Sequence, residues 1–293
     1  MTEQQKIKAI IRRAYDVHVH IGPEIIPRRF NAQSLGKYEK NKIAGCVVKN
    51  HFYPTASMIN GDEETDLLGG VVLNNGVGGM NPEAVYAASL ISSKPIMIWF
   101  PTINAKNFLI KNKFEIAPEW VEDKNITLKS EGEARPVIVT RNGKLVSGAK
   151  LVIDMISNVG GVLATGHISP EESQMVAKYA ISKGVKVIIT HAIYQHIDMA
   201  VEQQTALAKL GCFIEQSYSM YSMDGIPISR IADQIKRVGV GSVILSSDVG
   251  QAFSVSPSEA LEDFSRLLIT EGFNIEELET MLVHNPKKLL GIL

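Results

Sequence analysis

Residues 161–191 read GVLATGHISPEESQMVAKYAISKGVKVIITH, and this stretch carries the plan of the molecule. A short apolar run, GVLATGH, stops at His167; a polar helix signal follows; a second apolar run, KVIITH, stops at His191. Ser169-Pro170-Glu171-Glu172 supplies a cap, a first-turn proline and a capping-box glutamate, and Gly184 closes the helix. Continuous apolar, β-branched runs mark strands buried on both faces, as in a parallel sheet. The stretch is a strand-helix-strand unit that delivers an imidazole at the end of each strand.

Working outward, the unit recurs. AYDVHVH (14–20), GCVVKN (45–50), GGVVLNN (69–75), PIMIWFP (95–101), GCFIEQ (211–216) and SVILSSD (242–248) are runs of the same kind, which makes eight in all. Asn81-Pro82-Glu83 and Ser256-Pro257-Ser258-Glu259 open helices by the same device. Strands start about every 25 to 30 residues, the spacing of β/α units, so the expected fold is an α/β (β/α)8 TIM barrel formed as a single domain over residues 1–293. One interval is too long. Between the fourth and fifth runs lies an expected insertion over residues 103–147, with a β-hairpin at Asn142-Gly143, on the face where barrels carry substrate loops.

Composition narrows the function classes. Thirty basic residues stand against thirty-one acidic ones, so no electrostatic surface for nucleic acid or anionic membrane is expected, and small molecules are the expected partners. Cys46 and Cys212 each lie in an apolar segment, unlike a disulfide framework, and read as core residues of a reducing compartment. The N-terminal run MTEQQKIKAIIRRAYD lacks the apolar stretch of a secretory signal, and no run reaches the roughly 18 apolar residues of a membrane span. The expected location is cytoplasmic. Homo-oligomerisation is left open.

His18 and His20 are two residues apart on one strand and therefore share a face, the inner one if Val17 and Val19 turn toward the helices. His167, His191 and Asp248 end the fifth, sixth and eighth runs. Five ligand-type side chains at the same ends of four strands point to a metal site.

These residues resemble the amidohydrolase superfamily, whose site uses His-x-His after strand one, histidines after strands five and six, and an aspartate after strand eight. The likeness runs from Tyr15 to HNPKKLLGIL, which looks like the Asn-Pro-containing last helix of many members. DVHVHIGP, VVKNH, LATGHISPEE and SSDVGQ further resemble an uncharacterised amidohydrolase-like branch. The resemblance implies a metal-binding hydrolase with one or two divalent ions, zinc first, with manganese, iron or nickel accepted by the same donors. It implies Asp248 as the proton shuttle, and His191 as a ligand of a second ion or an oxyanion partner. Strand four departs from the pattern, because IMIWFPT offers neither the bridging lysine nor the glutamate of dinuclear members. Lys49, at the end of the second run, is the candidate replacement: as a carbamate it would bridge two ions, and as an ammonium it would bind an anionic substrate.

For substrate contacts, Arg28 and Arg29 are candidates to clamp a carboxylate. His51, Asn74, Thr102, Glu215 and Gln251 lie near strand ends as polar contacts. Glu215 has an added reason, because a carboxylate inside an apolar strand must find a cation or a hydrogen bond. NNGVGGMNP (74–82) reads as a tight turn, and His196 and His284 as structural residues.

The expected function is metal-dependent cleavage of an amide, lactone or related carbonyl bond in a small molecule. The competing readings are a mononuclear decarboxylase or hydratase on a small carboxylate, a phosphoesterase of the polymerase-and-histidinol-phosphatase type, and a barrel that binds without turnover.

Overall fold

The computed structural model describes residues 1–59, 64–92, 94–122 and 133–292. In chain order, α1 (Glu3–Ile11), β1 (Tyr15–His20), α2 (Ala32–Glu39), β2 (Gly45–Lys49), β3 (Asp66–Leu68), β4 (Gly70–Val72), α3 (Pro82–Ile91) and β5 (Met97–Trp99) form the first part. Then come α4 (Lys106–Asn112), β6 (Thr140–Arg141), β7 (Lys144–Leu145), α5 (Ser147–Asn158), β8 (Val162–Ala164), α6 (Pro170–Ser182) and β9 (Lys186–Ile189). The last part holds α7 (Val201–Lys209), β10 (Phe213–Ser217), α8 (Tyr218–Ser222), α9 (Ile228–Val238), β11 (Val243–Ser246), α10 (Pro257–Thr270), α11 (Ile275–Glu279) and α12 (Asn285–Leu290).

The capping chemistry read from the sequence sets the helix starts. Ser169 Oγ accepts from the Glu172 amide while the Glu172 side chain accepts from the Ser169 amide, and Pro170 opens the first turn of α6. Asn81 caps α3 through the Glu83 amide, and Ser256 with Glu259 boxes the start of α10. Each cap satisfies amides that a first turn leaves without partners, worth about 1 kcal/mol apiece.

All pairings among the eight expected runs are parallel. β1-β2-β3 form one sheet and β11-β10-β9-β8-β5-β4 another. At one seam the sheets meet through a parallel bridge between Val19 and Val249, where the His20 amide donates to Val249 O at 2.8 Å. At the other, β3 and β4 belong to one run of chain broken at Gly69, whose Cβ, if it had one, would sit 2.5 Å from Ala56 Cα. The third run thus begins three residues earlier than its glycines suggest and pairs with β2 through its first half and β5 through its second.

The core has two layers. Cys46, Val48, Leu67, Val71, Ile98, Leu163, Val187, Ile214 and Leu245 pack outward with helix residues such as Ile153, Val176 and Phe264. Val17, Val47, Leu68, Val72, Met97, Val162, Ile188, Phe213 and Ile244 pack with one another in an inner cluster, which Leu289 and Leu290 of α12 join. Each sheet strand therefore gives alternate residues to each layer, which is why its sequence is apolar throughout.

Val17 corrects the expected parity. It lies in the inner cluster while Val19 lies in the outer one, because the β1–β2 register slips between Asp16 and Val19. The slip is a β-bulge: Val17 and His18 together oppose Val47 alone, so the strand is re-aimed at its end.

The Asn142-Gly143 hairpin is present as the antiparallel pair β6-β7, both turn residues having positive φ (51° and 69°) as a type I′ turn requires. Of the expected insertion over 103–147, residues 123–132 lie outside the described residues. Its described part includes α4 and Trp120.

Candidate metal centre

Two of the side chains at the strand ends sit on strained backbone. His191 and Asp248 have φ of 22° and 51°, a region that residues other than glycine enter at a cost of about 1–3 kcal/mol and that clusters at functional sites. Gly166, just before His167, also has positive φ (62°), and a Cβ there would lie 2.3 Å from Phe100 O. Only glycine lets the chain turn there against the end of β5.

Five of the seven histidines converge. The His18 ring lies 5.3 Å from His20 and 5.7 Å from His191, His191 lies 5.0 Å from His167, and His20 lies 4.7 Å from His51, centroid to centroid. Asp248 Oδ1 lies 3.0 Å from His18 Nε2 and 3.1 Å from His20 Nε2, and its Oδ2 is 4.0 Å from His191 Nε2. Ser219 Oγ donates to Oδ2 at 2.9 Å. Behind His18, the Glu215 carboxylate accepts from Nδ1–H at 2.9 Å, so the imidazole turns its Nε2 lone pair toward Asp248. Glu215 also accepts from the His191 amide at 2.9 Å and from Ser246 Oγ at 2.7 Å.

Burial sets the electrostatics. It pushes the His18 and His191 pKa values down to about 3, and those of His20, His51 and His167 well below the usual histidine value. All five imidazoles are therefore neutral at neutral pH, as metal ligands must be. Burial pushes the Asp248 carboxyl up, against the pull of His18 and Lys49. Lys49 is 1% exposed, donates to His18 Nε2 at 2.9 Å, and has its pKa pushed down to about 8 by burial, against the attraction of Asp248, Glu215 and Glu24.

This buried ammonium has a measurable cost. Its pKa is lower folded than unfolded, so the penalty is full below about pH 8 and disappears as pH rises toward 10.5, the value of the unfolded chain. Lys49→Met is expected to raise the ion-free protein's unfolding free energy at pH 7 by about 3 kcal/mol, the cost of holding this ammonium at a pKa of about 8 rather than 10.5. Urea melts at pH 7 and pH 10 check this. A destabilised variant at pH 7, or a gain that grows with pH, contradicts it.

Arg28 and Arg29 part company. The Arg28 side chain is 1% exposed; Nε donates to Glu24 Oε2 at 2.5 Å, Nη2 donates to His20 Nδ1 at 3.1 Å, and Nη1 has no partner among the described residues. Because a guanidinium only donates, His20 carries its proton on Nε2 and donates it to Asp248. Arg29 turns away: it donates to Ser254 O and lies over Phe30 and Tyr38. That corrects the expected pair of clamps, since successive residues in this loop face different ways. Glu215 is also corrected, from a substrate contact to the partner of His18.

A narrow pocket is lined by His20, Arg28, Lys49, His51, His167, His191, Asp248 and Gln251, and walled by Trp120, Tyr194, Met220, Met223 and Asp224. Asn74 and Thr102 stand behind it: Asn74 donates to Thr102 Oγ1 and to His51 O, while His51 Nδ1 lies 3.0 Å from Thr102 Oγ1. They position His51. Sequence reasoning did not single out Asp16, Trp120, Tyr194, Met220, Met223 or Asp224. Asp16 had a signal, a carboxylate inside an apolar run. It is fully buried, and its Oδ1 accepts from the His18 and Ser247 amides. Trp120 stacks on His51 at 5.6 Å from within a segment that carries no periodicity to announce it.

The donor set fits one divalent ion. Ligands about 2.0–2.1 Å from a tetrahedral ion lie roughly 3.3 Å apart. His18, His20 and Asp248 place one donor atom each within 4.8 Å of one another, and form the group of this kind among the described residues. In the ion-free arrangement the His20 Nε2–H and the Lys49 ammonium lie between these donors, so an ion on His20 Nε2 would displace that proton and the Arg28 hydrogen bond to Nδ1. His167 and His191 each have a buried Nδ1 with no partner among the described residues.

A family model described as a family of unknown function (DUF6282) matches residues 13–215. No curated protein matches the sequence. Among solved structures, the probable dipeptidase PvdM from Pseudomonas aeruginosa aligns over 98% of this chain and 97% of its own, with TM-score 0.65 and 11% identity. An amidohydrolase from Pseudomonas aeruginosa aligns over 97% and 98% (TM-score 0.56, 10% identity). A putative 2-pyrone-4,6-dicarboxylic acid hydrolase from Pseudomonas putida aligns over 95% and 97% (TM-score 0.55, 13% identity). At these identities the likeness is one of fold alone. No helix among the described residues is long and apolar enough to cross a membrane.

Proposed function

We propose, for a chain that belongs to the DUF6282 family, the function of a metal-dependent hydrolase that cleaves an amide, lactone or related carbonyl bond of a small molecule. One observation carries this reading: two imidazole nitrogens stand 3.0 and 3.1 Å from a single carboxylate oxygen, with Glu215 fixing the His18 lone pair toward it. The reading takes the two sheets as one closed (β/α)8 barrel, a single domain with residues 103–147 inserted after its fourth strand. The Val19–Val249 bridge and the run of β3 into β4 support closure.

A divalent ion held by His18, His20 and Asp248, zinc in first place, would lower the pKa of a water from about 15.7 to roughly 7 and polarise a carbonyl. The chain's own groups do the rest. Asp248 takes a proton from the attacking water and returns it to the leaving group, with Ser219 holding the carboxylate in place. His191 Nε2 donates to the carbonyl oxygen as charge develops on it. His167 steadies His191 from the far side or joins a second ion. Lys49 stays an ammonium that draws in an anionic substrate, and Arg28 Nη1 takes a substrate carboxylate. His51 contacts the substrate from a position set by Asn74 and Thr102. Trp120 and Tyr194 keep bulk water out.

A second reading has a specific basis. Phe100-Pro101-Thr102 ends β5 without a bridging group, and the three donors suit one ion, which favours a mononuclear decarboxylase or hydratase on a small carboxylate. One ion per chain with carbon dioxide release selects it; two ions with a carbamate on Lys49 select the dinuclear hydrolase.

The test is a panel of small lactones, amides and esters, with metal content measured by mass spectrometry after loading with zinc or manganese. One or two ions per chain and chelator-sensitive hydrolysis are expected. Indifference to every divalent ion removes the reading.

A further inference from the structure

We propose that the pocket takes a zwitterionic substrate, whose protonated amine is held by Asp224 and Tyr194 while its carboxylate meets Arg28. The inference rests on the reading of this pocket as the substrate site, and it adds a second recognition group that the proposed hydrolysis does not require.

The observation is a set of unpaired buried polar atoms, two carboxylate acceptors and a phenol that both donates and accepts. Asp224 Oδ1, the Tyr194 hydroxyl and Glu119 Oε1 are buried and have no hydrogen-bond partner among the described residues. Tyr194 is 1% exposed, and both it and Asp224 line the pocket. Burial first, and then the negative charges of Glu119 and Asp248, push the Asp224 carboxyl up to about 7. Tyr194 is pushed up by burial and then by Asp224 and Glu119. Buried acceptors without donors are costly, so this wall is built for a group that brings donors and positive charge.

Two features choose an alkylammonium over a second metal ion. Asp224 belongs to no group of three closely spaced histidine, cysteine or carboxylate ligand atoms among the described residues, unlike His18, His20 and Asp248. Met220 and Met223 line the same pocket, and thioether chains adapt to an alkyl stem better than they ligate a hard cation. The anionic end is set by a charged donor of the pocket without a partner among the described residues, Arg28 Nη1. A molecule with one charge leaves one of these two walls unpaired.

Isothermal titration calorimetry on the full chain, zinc-loaded and chelator-treated, with glycine, β-alanine, 4-aminobutyrate and 6-aminohexanoate against acetate, propionate, butyrate and hexanoate tests this. At least one aminocarboxylate is expected to bind about tenfold or more tighter than its amine-free counterpart, the effect of a charge-assisted hydrogen bond. Asp224→Asn and, more weakly, Tyr194→Phe are expected to remove that preference without weakening the plain carboxylates, and Asp224→Glu to restore part of it. Circular dichroism melts confirm that each variant is folded. Equal binding of the two series, no binding of either, or a preference that survives Asp224→Asn overturns the proposal. Zinc uptake on the same samples separates the two readings. Uptake without amine preference overturns the subsite alone, and amine preference without uptake of any ion keeps the subsite and overturns the hydrolase.

Discussion

Asp248→Asn is expected to lower turnover by about three orders of magnitude while the melting temperature holds or rises, since positioned proton transfer contributes roughly 10²–10⁴ in rate. The two halves have separate causes. Asp248 offers one oxygen to His18 and His20 and the other to Ser219, so an amide in its place keeps the shape but supplies neither a base nor a full ligand set. Folding, by contrast, gains. Burial holds the carboxyl above its ordinary pKa, so the ionised form is a cost that a neutral amide removes. Asparagine also accepts the left-handed backbone at this position (φ 51°) as readily as aspartate does. Such a trade of stability for activity is typical of strained sites. Rates on the best substrate of the panel and thermal melts of both proteins decide it. Turnover within about tenfold of the parent would remove Asp248 from the chemistry, and a loss of several degrees would remove the burial cost argued for its carboxylate.

The sequence made the fold legible where local signals and burial agree. Ser169, Pro170, Glu172 and Gly184 mark a helix that the structure places at Pro170–Ser182, flanked by strands at Val162–Ala164 and Lys186–Ile189. The ends of the runs were equally readable, because a histidine or aspartate that closes an apolar strand has few structural reasons to be there. What escaped was geometry carried by pairing. Val17 reads as a residue facing the helices under strict alternation, and only the register of β1 against β2 reveals the bulge that turns it inward and sets His18 beside His20. Trp120, Tyr194 and Asp224 escaped because they stand on connecting segments, where no period of two or 3.6 exists to read. Arg28 and Arg29 look alike in sequence, yet one is sealed against Glu24 and His20 and the other lies on the surface aromatic rings.

Glu215 is the most informative mismatch, and it leads to the second large effect. A buried carboxylate needs donors, and those of Glu215 are His18 Nδ1–H, the His191 amide and Ser246, all within the protein. Removing it in Glu215→Ala strands three buried donors, and a loss of about 3 kcal/mol in unfolding free energy is expected. The conservative Glu215→Gln separates support from packing. Its amide keeps the volume yet has only one acceptor oxygen, so either the His191 amide loses its partner or His18 Nδ1 meets an N–H. In the second case the imidazole proton moves to Nε2, which now faces Lys49 and Asp248 as a donor and cannot serve an ion. Zinc affinity in Glu215→Gln should fall about 10–100-fold, as for partners that orient metal-bound histidines. Competition against a chromophoric chelator reads the affinity, and nitrogen-15 shifts of the His18 ring read the tautomer. A variant that keeps both the parent affinity and the Nδ1–H tautomer would show that Glu215 only fills space, and the lone-pair geometry on which the metal centre is argued would lose its cause.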